Sequence, residues 1–311
     1  MDGKQLRTQY KEHLSDFNNW NQKEHAEDFI LYPKNIGYHL CIDETALSKG
    51  ELYTILTNRD KHGRKCTIVA IVKGTKAEDV INVLLKIDAD KRNQVKEITL
   101  DMAGSMQKIA KRCFPGAMQV VDRFHVSKLV YEAVQDLRIA YRWQVMKDEN
   151  RKIKEAKAKG ESYEPKVFGN GDTLRQLLAG SRYLLFKAPD KWQQSRKVRA
   201  KLLFEQFPDI KSVYYYALRL GKIFSDYTDK DVARAKLALW YNEIEEFGYD
   251  TFTTVANSIE NHYERILNYF VNRSTNAAAE AFNAKIKAFR ASFRGVVDKR
   301  FFLYRLAKVY A

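Results

Sequence analysis

The hydrophobic pattern of this 311-residue chain changes period once, and that change limits what it can fold into. Between residues 36 and 127, apolar runs of strand length alternate with amphipathic segments, the mark of an α/β layer. Strands are predicted at 38–43, 51–57, 66–72, 96–101 and 118–122. The links "ETALSKG" and "NRDKHGRK" are short and turn-forming, so the first three strands are expected as consecutive antiparallel hairpins. "KAEDVINVLLKI" and "SMQKIAKRCF" each place their apolar residues on one helical face. The predicted order is β-β-β-α-β-α-β-α, preceded by a polar lead over residues 1–35.

From residue 128 the helical period holds almost everywhere. A long helix begins near 127, "KDENRKIKEAKAKGESYEPK" (147–166) reads as a charged extension or linker, and further helices are expected at 172–187, 190–206, 209–223, 229–247, 250–270, 276–290 and 298–310. Asp172, Thr228 and Asp250 stand where N-terminal caps are expected. The resulting division is the lead, a first part of the core (36–127), an α-helical insertion (128–270) and C-terminal helices (271–311) that complete the core.

Charge narrows the partners. Lys and Arg total 54 against 39 acids, a formal +15, and nucleic acid is the leading candidate for so basic a chain. The longest apolar run, "TIVAIV" at 67–72, is far short of the ~20 residues that span a bilayer, so no membrane association is expected. Cys41, Cys66 and Cys113 form no CxxC pair and suit a reducing cytoplasm, and the polar N-terminus has no secretory pattern.

Three predicted strands run into an acid: "YHLCIDET" into Asp43, "ITLDMAGSM" into Asp101 and "QVVDRFH" into Asp122. If the first and fourth predicted strands are adjacent and parallel, Asp43 and Asp101 face one another, and two such carboxylates repel unless a divalent cation lies between them. Hard oxygen ligands select Mg²⁺ or Mn²⁺. A third acid is best sought in "NRSTNAAAEAFNAKIKAF", where Asn276, Glu280, Asn283 and Lys287 share one helical face beside small alanines. Each acid has a plainer reading: Asp101 and Asp122 as helix caps, Glu280 as a solvated side chain.

Together "IDET", "ITLDMAGSM", "QVVDRFHV" and "NAAAEAFNAKIKAF" resemble the DDE transposase core of the ISL3 family of bacterial insertion sequences, over residues 36–311. The resemblance implies a ribonuclease H-like mixed five-stranded sheet flanked by helices, with a large α-helical insertion between the last strand and the final catalytic helix. It implies Asp43, Asp101 and Glu280 as a triad holding two Mg²⁺ (or Mn²⁺) ions, cleavage at transposon ends, and strand transfer by the freed 3′-hydroxyl into target DNA. Asp122 and His125 resemble the D/C-x-x-H element of related transposases, with a backbone-bonded histidine as the structural alternative.

The expected partners are double-stranded DNA and a second copy of the chain, at the bacterial nucleoid. Family members usually carry a zinc-binding segment and a helix-turn-helix ahead of this core, so a separate chain bearing that module is a further expectation. Nonspecific DNA contact is expected from "RKIKEAKAK", "QQSRKVRAK" and Lys285, Lys287, Arg290 and Arg294. Trp192, Trp240 and Tyr214 to Tyr216 either stack on bases or pack in the core, with packing favoured. The competing readings are a DNA-binding protein that has lost the chemistry and a ribonuclease H-like nuclease; the long tract between Asp101 and Glu280 disfavours the latter.

Overall fold

The computed structural model describes residues 3–48, 50–248, 250–293 and 295–311. Its contacts divide the chain into two units, residues 1–122 with 264–311, and residues 123–263.

The first unit is built on a sheet of six strands: β1 (Phe29–Leu31), β2 (His39–Ser48), β3 (Glu51–Asn58), β4 (Ile68–Lys73), β5 (Glu97–Leu100) and β6 (Met118–Val121), in the order β1-β4-β3-β2-β5-β6. The pairs β1/β4, β4/β3 and β3/β2 are antiparallel, as the short turn-forming links require, whereas β2/β5 and β5/β6 are parallel. The expected adjacency of the strands carrying Asp43 and Asp101 is therefore observed.

Two expectations need correction. The sheet has six strands rather than five, because Phe29–Leu31, inside the polar lead, pair with Ala70–Val72 at the edge. Three apolar residues after a polar tract are too few to show a period of two; what recruits them is the burial of Ile30 against the sheet core. The lead is also packed upstream, since Phe17 is buried edge-on against Phe301, with ring centroids 5.2 Å apart. Second, β2 runs past Asp43 to Ser48, through most of the segment read as a turn, and pairs with β3 down to Glu51.

Helices α1 (Gly3–Gln9), α2 (Ala77–Leu84), α3 (Ala89–Asn93) and α4 (Gly104–Cys113) belong to this unit. α2 and α4 pack against each other and against β4 and β5, burying Val80, Leu84, Met106 and Ile109. The second unit is helical: α5 (Arg123–Ala158), α6 (Leu174–Gly180), α7 (Gln194–Gln206), α8 (Pro208–Asp226), α9 (Lys230–Phe247) and α10 (Asp250–Asn261), with no strand among its described residues. The lysine-rich stretch continues α5 as far as Ala158 and is largely exposed, which suits a solvated helix. Trp240 and Tyr214 are fully buried, so packing is their use. Two caps fall one residue later than expected. Thr173 forms a capping box with Gln176, while Asp172 instead takes a bidentate bond from Arg199; Asp229, not Thr228, caps α9.

The chain returns to the first unit through α11 (Tyr263–Leu267), α12 (Tyr269–Asn272), α13 (Ala277–Ser292) and α14 (Lys299–Tyr310). Phe282 and Ile286 of α13 and Phe302, Leu303 and Leu306 of α14 share one core with Ile30, Ile55 and Ile71 of the sheet. Among the described residues no helix is long and apolar enough to cross a membrane.

A buried ion pair ties the returning segment to the sheet. Arg59 Nη1 lies 2.6 Å from Glu97 Oε1, and Asn272 Nδ2 donates to Glu97 Oε2 at 2.9 Å. Burial opposes the Glu97 charge, but hydrogen bonds from Asn272 and Ser274 and the Arg59 guanidinium hold its carboxyl below the usual range. That contribution to stability is present above the unfolded-chain value of about 4.3 and is lost as pH falls through the lower folded-state value. Replacing Glu97 with Ala, which leaves Arg59 buried without its partner, is expected to cost about 3–5 kcal/mol in urea unfolding at pH 7, with a smaller loss below pH 4.

Candidate active site

Parallel pairing brings strand ends of one polarity together. The β2/β5 register ends at Cys41↔Thr99 and the β5/β6 register at Leu100↔Val121, so Asp43, Asp101 and Asp122 follow at the same carboxyl edge of three neighbouring strands. Asp43 and Asp101 are half-buried and Asp122 is buried.

Two of these acids, Asp101 and Asp43, are fixed by hydrogen bonds close at hand. Asp101 Oδ1 accepts the Ala103 N–H at 2.8 Å, closing the turn into α4, so the capping reading describes one of its oxygens. Asp43 Oδ1 accepts the Glu44 N–H at 2.8 Å, and its Oδ2 accepts the Asn283 side-chain N–H at 2.7 Å. That second bond joins α13 to β2. Glu280 lies one turn before Asn283, and its carboxylate oxygen comes within 4.8 Å of that of Asp122. The helix can do this because its faces are divided: Ala279, Phe282 and Ile286 are buried, while Glu280, Asn283 and Lys287 lie on another face. His125 sits in the first turn of α5, where the second unit begins.

Asn276 is the residue the pattern placed least well. It occupies the N-cap position of α13, yet its side chain makes no capping bond. It is fully buried, and neither its Oδ1 nor its Nδ2 has a hydrogen-bond partner. Buried amides left so are uncommon and cost about 1–3 kcal/mol.

The cations next to Glu280 divide. Lys285 Nζ donates to the Gly63 carbonyl at 2.8 Å, and Arg290 Nη1 donates to the Ala46 and Leu47 carbonyls at 3.3 and 3.4 Å. Both therefore clamp α13 to the hairpin strands and the loop after them. Lys287 is exposed, and Arg294 lies outside the described residues.

Sequence reasoning passed over Glu44. Burial raises its pKa, and the charges of Asp101 and then Asp43 raise it further. Strand alternation sends it to the opposite side from Asp43, which is why it was missed; the adjacent acids in "IDET" were the available signal. The same field reaches Cys41: burial pushes its thiol up to about 11, and Asp122 and Asp43 add to the shift.

An edge lined with carboxylates, whose charges push a neighbouring acid toward protonation, fits a hard divalent cation, which would offset that repulsion with oxygen ligands. Asp122 and Glu280, whose carboxylate oxygens lie within 4.8 Å of each other, could share one, and Asp43 and Asp101 stand at the same edge of the sheet.

No curated protein matches the chain, and no solved structure does. A family model described as a transposase, that of the ISL3 type, matches residues 40–306, a span containing the sheet edge, the helical unit and α13. On that match, over most of its length, the chain belongs to the ISL3 family of transposases.

Proposed function

We propose that this chain is the catalytic core of a DDE transposase, cutting transposon-end DNA and joining the freed 3′-hydroxyl to target DNA, with Asp43, Asp101 and Glu280 as its metal-binding triad. The observation that carries the reading is the seating of α13, whose Asn283 bonds Asp43 while Glu280 closes on Asp122. In this reading the first unit is a ribonuclease H-like core and the helical unit is its insertion.

Asp43, Asp101 and Glu280 would supply the carboxylate oxygens that hold the ions. Bound there, two Mg²⁺ or Mn²⁺ ions would polarise the scissile phosphate and lower the pKa of an attacking water. Asn283 fixes the rotamer of Asp43, so that the bridging carboxylate is aimed before substrate arrives. Asp122 and His125 are accessory: the carboxylate would support a metal ligand, and the imidazole is a proton acceptor. Asn276 is accessory too, its backbone carbonyl accepting the Glu280 N–H at 2.9 Å. Lys287, one turn beyond Asn283, meets the phosphate backbone.

Double-stranded transposon ends and target DNA are the substrates, at the bacterial nucleoid. Two copies of the chain synapse two ends.

Asp101→Asn is expected to reduce Mg²⁺-dependent nicking of terminal-repeat duplex by at least about a hundredfold, in keeping with the loss of one preorganised charge. Nicking at the wild-type rate in that variant would remove the triad assignment; wild-type DNA affinity without any nicking in the parent chain would favour a binding protein. Asn283→Ala is expected to raise the half-saturating Mg²⁺ concentration about 10–100-fold while leaving the melting temperature within ~2 °C, as measured by initial nicking rates against Mg²⁺.

A further inference from the structure

The helical unit carries a groove of about 780 Å³ that the proposed chemistry does not use. Its floor is set by a chain of hydrogen bonds between α5 and the end of α6. Arg138 Nη1 donates to the Leu178 carbonyl at 2.9 Å, Arg138 Nε donates to Gln135 Oε1 at 2.8 Å, and Gln135 Nε2 donates to the Arg182 carbonyl at 3.1 Å. These bonds satisfy a terminal carbonyl of α6 and place Arg182, Tyr183 and Phe186 along the same groove as Arg142 and Trp143 of α5.

Two properties of this lining stand out. Its aromatic rings are offered to solvent: Trp143 is 65% exposed and Tyr183 67%. Isolated exposed aromatics are ordinary, but here they flank three guanidinium groups. Arg138 is buried, and Arg142 Nε is buried with no hydrogen-bond partner. Arg182 lies against the Tyr183 ring, 5.3 Å from its centroid. Burial, then the charges of Arg142 and Arg182, push the Arg138 pKa down, so the three cations repel one another. The acid in the lining, Glu132, already pairs with Lys128 at 3.7 Å.

An apolar protein surface laid over this groove would desolvate the arginines without compensating them. A polyanion offsets the repulsion, and exposed rings between cations suit a strand whose bases are free to stack. A closed duplex offers phosphates but no base faces. We propose that this groove binds a single-stranded stretch of DNA, with phosphates at Arg142 and Arg182 and unpaired bases on Trp143 and Tyr183. The inference rests on the transposase reading for its substrate, DNA, and adds a second binding site away from the carboxylate edge.

The test measures fluorescence anisotropy of labelled single-stranded and duplex oligonucleotides with the full chain in EDTA, so that no cleavage step enters. Trp143→Ala is expected to weaken single-strand binding about tenfold, within the range for one stacked base, and to leave duplex affinity and the melting temperature unchanged. Arg142→Gln with Arg182→Gln is expected to reduce the slope of log K against log salt by ~1.4 for the single strand. Single-strand affinity unaltered by Trp143→Ala and by the double arginine change would overturn the proposal. So would a Trp143→Ala chain whose sedimentation shifts while its single-strand affinity does not, which would assign the groove to a protein contact. Asp101→Asn should bind as the wild type does; an intact groove phenotype in a chain that never nicks DNA would defeat the catalytic reading and leave the groove standing.

Discussion

Like charges crowded at one edge of a parallel sheet are the constraint around which the first unit is arranged. Asp43 follows the last β2/β5 pair, and Asp101 and Asp122 follow the ends of β5 and β6, so parallel pairing brings the three acids to one edge. The strain is visible in groups beside them, since Glu44 and Cys41 both resist ionisation under the combined effect of burial and those charges. A cation at that edge would offset the repulsion.

The helix that meets this edge does two jobs with two faces. Phe282 and Ile286 lock α13 into the sheet core, and Lys285 and Arg290 pin it to backbone carbonyls of the first unit. Those contacts leave Asn283 and Glu280 little freedom in where they point, which is the preorganisation an acid needs if it is to share a ligand with strands far away in sequence. The Arg59, Glu97 and Asn272 network anchors the segment just before it. Site and core are thus held by one set of interactions.

Much of this was legible in the sequence. Apolar runs reaching Asp43, Asp101 and Asp122 marked three strands, and the 280, 283, 287 spacing marked one helix face, because both follow from local periodicity. What escaped was decided by tertiary contact. β1 is a three-residue strand recruited by burial of Ile30, Glu44 is drawn into the acidic field although alternation points it away from Asp43, and Asn276 is buried without the cap its identity suggests. The carbonyls that Lys285 and Arg290 meet were not legible either, because sequence reports a side chain's charge and not its tertiary partners. Trp240 and Tyr214 went the favoured way, into the core of the helical unit.

The central claim is that acids from separate strands and a late helix gather divalent cations, and direct metal binding tests it without DNA. Electron paramagnetic resonance titration of the chain with Mn²⁺ should show about two bound ions, and Glu280→Gln should lose at least one of them while the circular dichroism spectrum stays unchanged. Equal Mn²⁺ stoichiometry and affinity in the wild type and in Glu280→Gln would contradict the account.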